Sequence, residues 1–100
     1  MKIVYNSCFG GFGLSLAAIQ RYAEIKGVDY KTVKEYVILR GGRADPVLVQ
    51  VVEELGDKAN GAYASLQIAE VPAGSRYRID EYDGRESVMT PDDYEWEIAT

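Results

Sequence analysis

Residues Cys8-Phe9-Gly10-Gly11-Phe12-Gly13-Leu14-Ser15 put three glycines into four positions between two segments of opposite character. Ahead of them, residues 2–8 alternate with β-branched and aromatic content and read as a buried strand. Behind them, Ile19, Tyr22, Ala23 and Lys26 recur at three- and four-residue spacing, which predicts an amphipathic helix over about 15–26. A chain can pass from strand to helix this sharply only where glycine permits positive φ or close backbone approach. The same arrangement turns amide N–H groups and a helix N-terminus toward one point, where an anion can be held. Two readings therefore follow: a non-standard anion or nucleotide site, or a tight crossover in which the glycines only let the chain turn.

The rest of the chain reads as a small α+β domain. Ser15 is a candidate N-cap and Gly27 a candidate stop for the first helix. Residues 35–39 read as a second strand, although Lys31 to Leu39 can also be drawn as a helix. Asp45 at N-cap with Pro46 at the first helical position starts a second helix. Its apolar stripe is Val47, Val51, Val52 and Leu55, and Gly56 ends it. Asn60-Gly61 marks a turn, residues 66–71 a strand and residues 77–82 the next. Asp83-Gly84 is a strong hairpin signal with 86–89 as the far arm. Thr90-Pro91-Asp92-Asp93 can cap a short last turn, and 94–98 alternate as a short strand. The predicted order is β-α-β-α-β-β-β: one domain over 1–100, a sandwich with a mixed sheet and two helices on one face.

Composition narrows the chemistry. There is no histidine among 100 residues, which removes the commonest general base and most zinc chemistry. The formal net charge of −5 argues against general nucleic-acid binding, which needs a cationic field. The single cysteine, Cys8, leaves no internal disulfide and suits a reducing compartment. No apolar run approaches the ~20 residues of a membrane span, and the N-terminus lacks the shape of a signal peptide. The expectation is a cytoplasmic protein without membrane contact.

The candidate ligand-binding residues cluster at the glycine turn. Gly10, Gly11 and Gly13 offer backbone donors, Ser15 a hydroxyl, and Phe9 and Phe12 flat faces for stacking. Asn6 shares the alternating face of Cys8 and is placed to hydrogen-bond the turn or a ligand. Arg43, in the second glycine cluster Gly41-Gly42-Arg43, can clamp a phosphate or carboxylate with its planar fork, or hold its loop through a carboxylate. Strand-end loops usually share a sheet edge, so Arg43 and the first turn are expected to converge. Tyr82 stands beside the hairpin turn. The four carboxylates in 80–86 lack the spacing of a calcium loop. The fingerprint G-x-G-x-x-G is incomplete here, since Leu16 stands where the third glycine belongs. No catalytic residue, metal ligand or cofactor is assigned.

The opening KIVYNSCFGGFGLS, with Arg43-Ala44-Asp45-Pro46, VVEELG at 51–56, Asn60-Gly61, Ile68-Ala69-Glu70-Val71-Pro72 and Glu81-Tyr82-Asp83-Gly84, resembles a group of small bacteriophage and prophage proteins. The resemblance spans most of the chain. It implies an accessory protein of the infected bacterial cytosol, of the kind that neutralises a host defence protein or signal. Together with the turn, it points to a non-catalytic binder that sequesters an anionic, nucleotide-derived molecule, and a homo-oligomer would suit such a pocket. The alternative is an inhibitor or adaptor that binds a host bacterial protein. A small metal-dependent hydrolase is a third possibility.

Overall fold

The structure is a computed structural model that describes residues 1–91, the side chains of Tyr36, Val37 and Leu39 aside. It begins with strand β1 (Lys2–Asn6), whose Ile3, Val4 and Asn6 are fully buried. Helix α1 (Leu16–Lys26) starts where the Ser15 hydroxyl accepts the Ala18 N–H at 3.1 Å. It stops at Gly27, whose left-handed φ of 72° lets the Val28 N–H reach back to the Ala23 carbonyl at 3.0 Å. A 3-10 turn (Tyr30–Thr32) leads into the short helix α2 (Glu35–Arg40). Helix α3 (Pro46–Leu55) follows, capped by the Asp45 carboxylate accepting the Val47 N–H at 2.9 Å. A second 3-10 turn (Gly56–Ala59) precedes strand β2 (Leu66–Glu70). Strands β3 (Arg78–Tyr82) and β4 (Arg85–Met89) form the hairpin. Asp83 and Gly84 between them both have positive φ, 51° and 89°, as the twist-matched two-residue turn requires.

The class is α+β, and its details correct the expected order. Residues 35–39 belong to α2 rather than to a second strand, so three α-helices follow β1. Among the described residues the strands form two antiparallel pairs, β1–β2 and β3–β4, in place of one mixed sheet. The physical reason lies at the free edge of β1. There the Val4 N–H donates to the Arg43 carbonyl at 2.9 Å, so the loop after α2 takes the place a neighbouring strand would have filled. The apolar run 36–39 then serves a helix, and Ile38 is fully buried. The strand expected at 94–98 lies outside the described residues.

Helix α3 packs on β1 and β2, and α1 packs on α3. Val4, Ala18, Tyr22, Ile38, Leu48 and Val51 meet in the core between them. Tyr22 also reaches the α3 cap, donating its hydroxyl to Asp45 Oδ2 at 3.0 Å. Burial, then the hydrogen bond and the charge of Asp45, push the Tyr22 phenol up to about 12. The raised value means that folding favours the neutral phenol. Its contribution is complete below the ordinary tyrosine value and is lost as pH rises through about 12. Tyr22→Phe is expected to lower stability near neutrality by about 1 kcal/mol. It should also flatten the alkaline fall of stability from about pH 10 upward, as measured by denaturant melts across that range.

Candidate functional site

The glycine turn is a crossing point of three chain segments. A Cβ on Gly10 would lie 2.0 Å from the Tyr63 carbonyl oxygen, so the turn and the 61–64 loop touch backbone to backbone. The Gly61 N–H donates to the Gly13 carbonyl at 2.8 Å. From the other side the hairpin tip presses in: a Cβ on Gly84 would meet the Phe9 carbonyl oxygen at 2.3 Å. Gly11 alone in this turn has positive φ, 92°, and open space around it. Ser15 is committed to structure. Its hydroxyl caps α1 and donates to the Lys58 carbonyl at 2.6 Å, while its N–H donates to the Ala59 carbonyl at 2.9 Å. Cys8 bonds locally, its thiol donating to the Tyr63 carbonyl and its sulfur accepting the Gly10 N–H.

Beneath the turn lies a polar hub centred on Asn6. Its side-chain amide donates to the carbonyls of Cys8 at 2.7 Å and Gly84 at 2.8 Å. Its Oδ1 accepts the Ser65 N–H at 2.8 Å, and its backbone N–H donates to Glu86 Oε1 at 2.9 Å. Glu86 in turn receives both terminal nitrogens of Arg43, at 2.6 and 2.8 Å. The Arg43 guanidinium stacks on Phe12, 3.8 Å from the ring centroid. The expected convergence of the two glycine clusters is therefore present. The fork of Arg43 is filled by a carboxylate of the chain itself, and Phe12 covers one face of that guanidinium. Asn6, Phe12, Ser15 and Arg43 are each engaged by contacts within the chain.

Phe9 and Tyr82 meet at a cleft of about 240 Å³, lined also by Asp80, Glu81, Arg85 and Ser87. Phe9 is 58% and Tyr82 79% exposed, both unusual for aromatic rings. Arg85 holds its guanidinium 5.7 Å from the centroid of Phe9. The two carboxylates at the rim have other partners. Glu81 Oε1 accepts the Gly84 N–H at 2.6 Å, and Asp80 pairs with Arg78 at 2.8 Å. Among the described residues no carboxylate lies within ion-pair distance of Arg85, which is one of the residues lining the cleft.

Sequence reasoning missed Arg85 and Ser87, and the signal for them was available. A two-residue Asp-Gly turn sets Tyr82 opposite Arg85 and Asp80 opposite Ser87, so these four share one face. Of the hairpin's four acidic residues, Glu86 turns into the hub, Asp83 sits in the turn, and Asp80 and Glu81 stay at the cleft rim. Among the described residues no three histidine, cysteine or carboxylate side chains gather as a metal site. A larger hollow of about 410 Å³ lies between the end of α1 and the first 3-10 turn. Glu24 and Asp29 line it, and no arginine or lysine is among its lining residues. Among the described residues no helix is long and apolar enough to cross a membrane.

Comparison with protein-family models, curated proteins and solved structures finds no match for this chain.

Proposed function

We propose that the protein is a small non-catalytic binder that sequesters an anionic, nucleotide-like molecule at the Phe9–Tyr82–Arg85 cleft. The observation that carries this reading is two exposed aromatic rings beside the Arg85 guanidinium, which among the described residues has no carboxylate at ion-pair distance, at a cleft whose rim also carries Asp80 and Glu81. A base stacked on such rings gains about 1–3 kcal/mol. The Arg85 fork supplies the bidentate donor that a phosphate needs. The cleft is smaller than the ~300–1,000 Å³ of a typical ligand pocket, so it takes one base or one sugar phosphate. A second copy of the chain covering the remainder fits the expected homo-oligomer. The resemblance to small phage proteins supplies the setting: the cytosol of an infected bacterium, where removing a defence signal needs affinity and no turnover.

A direct test is equilibrium dialysis against a panel of nucleoside mono-, di- and triphosphates. Arg85→Ala and Phe9→Ala are each expected to weaken the best ligand by at least about tenfold, equivalent to about 1.4 kcal/mol. Tyr63→Ala, outside the cleft, should change it less than about twofold. Absence of binding at millimolar nucleotide, or an Arg85→Ala protein that binds normally, sinks the proposal.

One observation favours a second reading, an inhibitor or adaptor for a host protein. Tyr63 is 77% exposed and sits against the same turn as Phe9, so three exposed aromatics and an arginine ring the crossing point. Tyrosine and arginine dominate the energetics of protein interfaces. Under this reading Tyr63→Ala disrupts partner capture as strongly as Arg85→Ala does.

A further inference from the structure

We infer that Arg43 and Glu86 are positioning residues for the cleft: their buried ion pair is the latch that docks the β3–β4 hairpin on β1 and brings Tyr82 and Arg85 up to Phe9. The inference rests on the cleft being the binding site, as proposed above.

Among the described residues, β1 has a strand partner, β2, along one edge. Its other edge would be left with open backbone groups, which are costly when buried. Side chains and one loop close it instead. The Arg43 carbonyl accepts the Val4 N–H, Arg43 Nη1 donates to the Val4 carbonyl at 3.4 Å, and Glu86 Oε1 accepts the Asn6 N–H. Glu86 thus does for β1 what the carbonyl of a neighbouring strand would do. The pair is largely shielded, with side chains 18% and 9% exposed.

The latch and the cleft are two faces of one strand. Side chains alternate along β4, so turning Glu86 inward turns Arg85 and Ser87 outward to the cleft. Phe9 belongs to the other body, attached to β1 through the glycine turn. Among the described residues, the main core cluster includes no side chain of the hairpin, and Ile79 and Val88 are half-buried. Among the described residues, the contacts that dock the hairpin include the ion pair, the Asn6 bond to Gly84 and the close fit of Gly84 against Phe9. Arg43 and Glu86 need not touch the ligand to decide whether its two walls stand together.

The test is amide hydrogen exchange on the ligand-free chain, wild type against Glu86→Ala, Glu86→Gln and Arg43→Lys. In Glu86→Ala the amides of 78–89 are expected to lose protection by at least about tenfold more than those of α1 and α3. Glu86→Gln keeps an oxygen for the Asn6 N–H and loses the charge, so it should fall between. Should Glu86→Ala fail to fold, the Gln and Lys variants decide. Unchanged hairpin protection in all variants overturns the proposal, as does a loss spread equally over α1 and α3. Affinity for ADP, measured on the same variants, should fall in the order of hairpin opening. A hairpin that opens as expected in a chain that binds no nucleotide upholds the latch and sinks the ligand reading.

Discussion

Asn6→Asp is expected to cost about 3–5 kcal/mol, a large fraction of the roughly 5–15 kcal/mol that holds a domain folded. The change replaces one NH2 group by oxygen and hardly alters volume. In the wild type that NH2 donates to two carbonyls, Cys8 and Gly84, inside a fully buried site. An aspartate would set its lone pairs against both and place a second carboxylate beside Glu86, which bonds the same residue. Burial and the neighbouring carboxylate both favour the neutral acid, raising the new group's folded-state value. A raised value means a penalty that is full at neutral pH and shrinks as the group protonates. The gap between variant and wild type should therefore narrow toward pH 4, read by urea melts at pH 7 and pH 4. An Asn6→Asp protein as stable as wild type at pH 7 would remove the hub from the account of the fold.

Gly10→Ala is expected to be the second large effect, and Gly11→Ala its control. A methyl on Gly10 lands 2.0 Å from the Tyr63 carbonyl oxygen and 2.4 Å from its Cβ. Backbone cannot swing aside like a flexible side chain, so the 61–64 loop must move. The cost should reach about 3 kcal/mol, the upper range of overpacking, or more. That corresponds to a melting temperature lower by at least about 12 °C. Gly11→Ala meets nothing within 4 Å and suffers only from its positive φ, worth about 1–2 kcal/mol. Thermal melts of the two proteins separate the crossover from the site. If Gly11→Ala proves the worse folder, the packing described around Gly10 is wrong.

The parts of this fold that could be read from the chain are those set by neighbours in sequence. Ser15, Asp45-Pro46 and Gly27 mark helix ends because a cap needs only the next few residues. Asp83-Gly84 marks its hairpin for the same reason. The segment 35–39 was ambiguous because an apolar run without period suits either a strand or a short buried helix. What decided it, the loop at Arg43 occupying the edge of β1, is a contact between distant residues. The role of Arg43 was hidden likewise. Its partner Glu86 lies 43 positions on and is brought near by hairpin docking. An arginine in a glycine-rich loop looks the same whether it awaits a ligand or already holds one of the chain's own carboxylates. Among the nine residues expected at the site, Phe9 and Tyr82 line the cleft, where the arginine is Arg85 and not Arg43.

The most direct measurement of the central claim is native mass spectrometry of wild type and Arg85→Ala purified side by side from phage-infected bacterial cells. The expected result is a nucleotide-sized mass retained by the wild type, in a defined oligomer, and lost from Arg85→Ala while the fold persists. A wild-type chain that emerges bare, or an Arg85→Ala chain that keeps the same mass, contradicts it.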